Sequence, residues 1–264
     1  MRTLVHLSDL HFGRIDKRLL APLARAVRAA APHLVVVSGD LTQRAKSAEF
    51  RDARRFLDTL PAPLLVVPGN HDVPLYNLLQ RFFQPLGKYR RYIAHDVEPA
   101  YVDDEIAVVG VNTARSATFK GGRINAAQIA RVRNRFATLG RDVTRIVVTH
   151  HPFDVPPGHE TRAVVGRARL AMQAFADCGA DILLAGHLHA SHAGDTAARY
   201  DVSALFIQAG TATSVRGRGE ANSYNVLRIE RGRVELAHCA WNGSDFSVAS
   251  RASFARSGAG WQRG

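Results

Sequence analysis

The chain has 264 residues, of which 46% are hydrophobic and 22% charged, a composition that suits a globular α/β domain and excludes global disorder. No apolar run approaches the ~18 residues of a membrane span, and the two cysteines, Cys178 and Cys239, have no paired spacing for zinc or thiol redox chemistry. The formal net charge of +12 comes almost wholly from arginine, which either attracts anionic substrates or nucleic acid or is solvated on helix faces.

Strands and helices alternate through the first third. A strand at 3–7 precedes a helical stretch near 16–31, then a strand at 34–38, a helix near 46–59 and a strand at 63–67, a βαβαβ rhythm that predicts a layered α/β fold. Because the sequence enters its first strand at once, no removable signal peptide is expected. The expectation is a soluble, cytoplasmic protein with two free thiols.

Residues 73–94 read as an arginine- and aromatic-rich helical insert, a candidate lid or wall. Its apolar residues Leu75, Leu78, Leu79, Phe82 and Phe83 could line a groove, but their spacing fits core packing better. Residues 99–111 predict two strands turning at Asp103-Asp104. Asn125 caps a helix to Leu139, with Gln128 three residues on and Ile129, Val132, Phe136 and Leu139 in one apolar stripe. Further strand-like runs are Ile146–Val148, Ile182–Ala185, Ala204–Gln208, Tyr224–Ile229 and Val234–Ala240, the last two joined by a turn at Arg231-Gly232. A catalytic domain over 1–242 is expected, followed by a loosely attached tail over 243–264 that is rich in Ser, Gly, Ala and Arg. The architecture expected is a two-sheet sandwich flanked by helices, with C-terminal strands that could pair two copies in a homodimer.

Five short motifs follow successive strands: Asp9-Leu10-His11, Gly39-Asp40, Gly69-Asn70-His71-Asp72, Thr149-His150-His151 and Gly186-His187-Leu188-His189. Metal-ligating residue types at five strand ends are poorly explained by core packing. Two divalent cations roughly 3.5–4 Å apart need about this many ligands, one of them bridging. Asp9 and His11 alternate about Leu10, so an extended segment would present both on one side, and His187 and His189 repeat the pattern. Asp40 is a carboxylate able to bridge through its two oxygens, and Asn70 offers a neutral oxygen. Oxygen and imidazole donors without thiolate suit Mn, Fe, Zn or Co. His6, alternating with core residues on the first strand, reads as a structural histidine.

This motif set, covering residues 9–189, resembles the calcineurin-like metallophosphoesterase superfamily. The resemblance implies a four-layer α/β/β/α sandwich of two mixed sheets flanked by helices. It implies that Asp9, His11, Asp40 and His189 hold one metal, and that Asp40, Asn70, His150 and His187 hold the other. It further implies that His71 protonates the leaving-group oxygen or stabilises the transferring phosphoryl group, with Asp72 orienting its imidazole. His151 reads either as a support for the neighbouring ligand or as structural. Asn112, Arg115, Arg216 and Arg218 are candidate substrate contacts.

Departures narrow the family. Asp40 is followed by Leu-Thr-Gln rather than the Asp-Arg-Gly continuation of protein Ser/Thr phosphatases, Asp72 stands where they carry Glu after Gly-Asn-His, and no tyrosine follows Asp40 shortly as in purple acid phosphatases. The pattern most resembles bacterial class III cyclic-nucleotide phosphodiesterases and glycerophosphodiesterases. That implies metal-dependent hydrolysis of a small anionic phosphodiester such as a cyclic nucleotide. Alternatives are a nucleotide-linked lipid pyrophosphatase of the UDP-diacylglucosamine type, a DNA exonuclease, and a metal-free binding scaffold.

Overall fold

A computed structural model describes the chain except for residues 62, 119–120, 156–162, 216–218 and 259. The βαβαβ start is present as β1 (Arg2–Leu7), α1 (Leu20–Ala29), β2 (Leu34–Val37), α2 (Ser47–Leu57) and β3 (Leu64–Val66). The insert forms two short helices, α3 (Leu78–Phe83) and α4 (Gly87–Tyr92). Next come β4 (Ala100–Val102), β5 (Ile106–Gly110), α5 (Ala126–Ala137), β6 (Thr144–Val148), α6 (Ala168–Asp177) and β7 (Ile182–Ala185). The chain ends with β8 (His192–Asp195), α7 (Ala197–Tyr200), β9 (Leu205–Gln208), β10 (Ser223–Glu230), β11 (Arg233–Trp241), β12 (Phe246–Ser257) and β13 (Gly260–Arg263).

The strands make two mixed sheets, in the orders β13-β12-β11-β10-β1-β2-β3 and β4-β5-β6-β7-β9-β8. Strands β1, β2 and β3 run parallel, as do β5, β6, β7 and β9, while β4, β8 and β10–β13 pair antiparallel. Because successive side chains on a strand point to opposite faces, each sheet feeds two cores. Leu4, Leu34, Val36 and Leu65 point inward to meet Val108, Ile146, Leu184 and Ile207 of the second sheet. Val5, Leu7, Val35 and Val37 point outward against Leu23 and Val27 of α1 and Phe50 and Phe56 of α2. On the far side, Val109, Val147, Leu183 and Phe206 pack on α5 and α6 through Val132, Phe136, Met172 and Phe175. The result is the expected α/β/β/α sandwich.

Local signals act as their chemistry requires. Asp103 Oδ1 accepts from the amides of Glu105 and Ile106 at 2.8 and 2.9 Å and makes the β4–β5 turn. Asn125 and Gln128 exchange side-chain-to-amide bonds of 2.8 and 3.0 Å in a capping box at the start of α5. His6 is buried with Nε2 2.8 Å from Ser38 Oγ, and burial lowers its pKa to about 3, so it is a neutral structural histidine.

Two expectations fail. Residues 243–264 are not a loose tail: β12 and β13 extend the first sheet. Phe254 and Trp261 are buried in the core between the sheets. Arg256 and Arg231 also pair with Asp181, whose side chain is fully buried at the start of the second sheet. The second failure is the insert. Leu78, Leu79, Phe82 and Phe83 do not pack in the core but are exposed, whereas Val73, Leu86, Tyr89 and Ile93 of the same insert are buried. Arg81 takes the buried place instead. Its Nε, Nη1 and Nη2 donate to the carbonyls of Ser116, Pro74 and Thr118 at 2.7, 2.9 and 2.6 Å.

Since Phe254 anchors β12 in the inter-sheet core, Phe254→Ala should lower unfolding free energy by about 3–5 kcal/mol. Denaturant titration checks this, and a loss below about 1 kcal/mol would restore the reading of a loosely attached tail.

Candidate metal centre

The five motifs lie at the carboxyl ends of β1, β2, β3, β6 and β7, where open α/β sheets place ligand sites. The two sheets bring their ends together, so residues far apart in sequence meet. A side chain at Gly186 would put its Cβ 1.8 Å from Ser8 Oγ, and one at Gly69 would put it 2.1 Å from Asp40 Oδ1. Neither strand end tolerates a Cβ at this separation.

The turns that carry the ligands are not extended. Asp9, His11, Asp40, His187 and His189 all have positive φ, between 53° and 76°. Each such residue costs roughly 1–3 kcal/mol, and the surrounding bonds must over-determine it. They do. The amides of Asp9 and His11 donate to the carbonyls of Gly39 and Asp40 at 3.1 and 2.9 Å. Thr211 and Thr213 donate their hydroxyls to the carbonyls of Asp9 and Leu10, both at 2.7 Å. These two threonines were not foreseen as part of the site. Their only sequence signal is their alternation beyond the β9 strand end.

One half of the centre contains Asp9, His11 and His189. Asp9 Oδ2 accepts from Ser8 Oγ at 2.6 Å and from the amide of His187 at 2.9 Å. Its Oδ1 has no hydrogen-bond partner although it is buried; His189 Nε2 lies 3.1 Å away and His11 Nε2 3.5 Å away. The two imidazole Nε2 atoms are themselves 3.0 Å apart.

The other half contains Asn70, His150 and His187. His150 Nδ1 donates to the carbonyl of Ser38 at 2.8 Å, which turns Nε2 inward. That nitrogen lies 3.1 Å from Asn70 Oδ1 and 3.2 Å from His187 Nδ1.

Asp40 stands between the halves. Its Oδ2 is 3.8 Å from His11 Nε2 and 3.3 Å from His150 Nε2. Its Oδ1 is committed to the amide of His71 at 2.8 Å. The expected bridge through two oxygens is therefore corrected: one oxygen faces both halves while the other holds the loop.

Burial opposes charge on every one of these groups, and their mutual fields decide the outcome. Asp9 and Asp40 are driven upward by burial but are held well below the usual carboxylate range by the surrounding histidines. Burial lowers the His150 pKa, yet Asp40 and Asp9 outweigh it and raise the value to about 9. His187 falls to about 3 through burial and the charge of His150. A pair of buried carboxylates, one with an orphaned oxygen, facing converging imidazole nitrogens is a donor set that fits cations. The seven residues offer oxygen and nitrogen donors only, which suits divalent metal ions of the first transition row.

His71 sits half-buried at the rim, and Asp72 is buried below it. His71 Nδ1 donates to the carbonyl of Gln43 at 2.9 Å, and its ring lies edge-on to His11 at 4.9 Å. Asp72 does not orient that imidazole. It accepts from the amides of Leu41, Thr42 and Gly69 at 3.2, 2.9 and 2.9 Å and from Thr42 Oγ1 at 2.9 Å. It thereby clamps together the loops that carry Asp40 and Asn70, and Gln43 supplies the contact once expected of it. Burial and the nearby Asp40 charge raise its pKa to about 6.

His151 is buried behind the ligands, with Nδ1 2.8 Å from Thr113 Oγ1 and its ring 4.7 Å from His187. Asn112 and Arg115 do not face the centre. Asn112 Oδ1 accepts from the amide of Ala114, and the Arg115 guanidinium is spent on Gln128 and the carbonyls of Asn112 and Ala114. Arg216 and Arg218 lie outside the described residues.

The family model for calcineurin-like phosphoesterases matches residues 2–191. The chain belongs to the calcineurin-like phosphoesterase family. It is 26% identical over 191 residues to the uncharacterized protein YpbG of Bacillus subtilis, covering 71% of this chain and 61% of that one. It is 35% identical over 81 residues to the glycerophosphodiester phosphodiesterase GpdQ of Enterobacter lignolyticus, covering 26% of this chain and 29% of that one. The chain thus spans less than two thirds of the length of these relatives. A purple acid phosphatase, PPD1 from yellow lupin, has the same fold at 10% identity (TM-score 0.69), covering 96% of this chain and 53% of that chain. A dimetal phosphatase from Danio rerio does so at 14% identity (TM-score 0.64), covering 97% and 99%.

Mn²⁺ added to metal-stripped protein should raise the melting temperature, since a ligand of the native state stabilises it. Asp40→Ala should abolish that rise, and an undiminished rise in the variant would remove Asp40 from the centre. Asp72→Asn sets an amide NH₂ against backbone N–H donors. It should cost about 1–3 kcal/mol of stability and weaken Mn²⁺ binding measured by calorimetry.

Proposed function

We propose that this phosphoesterase is a dinuclear metal-dependent phosphodiesterase that cleaves a small organic phosphodiester, with cyclic nucleotides as first candidates. The observation that carries the reading is the division of labour in Asp40, whose Oδ2 lies within 3.8 Å of imidazoles from both halves of the centre. Asp9, His11, Asp40 and His189 would hold one ion, and Asp40, Asn70, His150 and His187 the second. Manganese, iron, zinc and cobalt all suit the donors. When bound, two such ions supply Lewis acidity to a phosphoryl oxygen and acidify a water for attack on phosphorus.

The chain's own residues do the rest. Asp9 is fixed by Ser8 and the His187 amide, and His150 by Ser38, so the donor atoms are oriented before any substrate arrives. His71 keeps its Nδ1 proton on the carbonyl of Gln43, which leaves Nε2 to carry a second proton. In hydrolysis the bond from phosphorus to the leaving oxygen breaks, and that proton goes to the departing alkoxide. Hydrolysis yields a phosphomonoester and a hydroxyl group, both on one molecule when the diester is cyclic. The preference for a diester rests on the partial similarity to a glycerophosphodiester phosphodiesterase and on the absence of the Asp-Arg-Gly continuation that protein phosphatases carry after the bridging aspartate. The free thiols Cys178 and Cys239 support a cytoplasmic location.

Purified protein with Mn²⁺ should release nitrophenolate from bis(p-nitrophenyl) phosphate faster than from p-nitrophenyl phosphate. Faster turnover of the monoester would overturn the diester assignment. His71→Ala should lower kcat by about 10²–10⁴-fold while Mn²⁺ binding by calorimetry stays intact. A parallel loss of metal would make His71 a ligand instead.

A further inference from the structure

We propose that the α3 insert is a docking surface for an anionic lipid bilayer, and that the phosphodiester cleaved is one displayed at that surface. The α3 helix is amphipathic in the inverted sense. Its arginine, Arg81, is buried and bonded to three backbone carbonyls, while its large apolar side chains face outward. Leu78, Leu79, Phe82 and Phe83 are 59%, 74%, 60% and 80% exposed, and Tyr76 just before them is 75% exposed. Scattered exposed apolar residues are ordinary, but five on one short segment mark an interaction site. The arrangement is built rather than frayed, because the buried Arg81 guanidinium ties the segment to the 116–118 loop.

The position of the insert relates it to the metal centre. It begins directly after Asp72, two residues beyond the ligand Asn70. Arg44 places its guanidinium over the Tyr76 ring at 5.2 Å, and the preceding residue, Gln43, is the one that holds His71. A surface that met Tyr76, Leu79 and Phe83 would therefore lie beside the rim where the leaving group departs.

The occupant follows from charge. At +12, two copies of the chain repel one another, which opposes self-association through this patch. The same charge attracts an anionic surface, and apolar and aromatic side chains entering the headgroup region add to the attraction. No helix among the described residues is long and apolar enough to cross a membrane, so the contact is peripheral. The substrate half of the proposal rests on the phosphodiesterase reading; the docking half does not.

The test uses the full chain and vesicles of phosphatidylcholine, with or without phosphatidylglycerol. The protein should sediment with the anionic vesicles, less so with neutral ones and less so as salt rises. The double variant Leu79→Asp/Phe83→Asp should lower the partition coefficient by about tenfold or more, with turnover of soluble bis(p-nitrophenyl) phosphate unchanged. The conservative variant Phe83→Trp should show a blue shift of indole emission on the anionic vesicles. An alkyl p-nitrophenyl phosphodiester carried in those vesicles should be cleaved faster than the soluble diester by wild type, and the double variant should lose that preference. Wild-type protein that ignores anionic vesicles, a double variant that binds them equally well, or a wild-type dimer that the double variant dissociates would each overturn the docking surface. Vesicle binding without cleavage of any diester would retain the docking surface and sink the phosphodiesterase reading. Cleavage without vesicle binding would do the reverse.

Discussion

Asp40 puts its two oxygens to different uses, and the site depends on that division. Oδ1 accepts from the His71 amide and so fixes the loop after β3. Oδ2 is thereby aimed at the gap between His11 and His150, which come from opposite sheets. A carboxylate at this depth is costly unless cations or donors surround it. The ring of imidazoles lowers that cost, and metal ions would lower it further. Asp72 serves the same geometry from beneath. By accepting three backbone amides it binds the β2 and β3 loops into one body, so the carboxylate cannot drift from its two neighbours.

Strain at the ligands follows from this arrangement. Five of the seven donor residues hold left-handed backbone, and aspartate and histidine are among the few side chains that visit this region with any frequency. The backbone bonds from Asp9 and His11 to the β2 turn, together with the hydroxyls of Thr211 and Thr213, hold the conformation. The centre is therefore organised before metal or substrate arrives, with the stability of both sheets offsetting its unfavourable torsions.

Much of this was legible in the sequence. Ligand residue types directly after apolar runs picked out the seven residues that the structure gathers at one place, because strand ends are where an α/β sheet exposes polar groups. The conformation of those donors was not legible. Asp9 and His11 alternate as they would on an extended segment, and only contacts with the neighbouring strand end reveal the left-handed turns. Arg115 misled because a loop arginine after a strand looks the same whether its fork is free or filled. Gln128, read only as a helix cap, is what fills it. The C-terminal strands were hidden for another reason. Most of β12 faces solvent, so its Ser, Ala and Arg residues lack apolar alternation, and only Phe254 and Trp261 carry the core signal. The insert shows the opposite error. Apolar spacing suggested a buried face, and the buried residue turned out to be Arg81.

The buried Asp181 has a consequence for the order in which the molecule can assemble. It is laid down 75 residues before Arg256 and 50 before Arg231, the two cations that neutralise it. Until both emerge from the ribosome, closing the two sheets would trap an uncompensated negative charge in the interior. The parallel strands made first therefore close over Asp181 at lower cost once the later antiparallel strands have brought Arg231 and Arg256 against it.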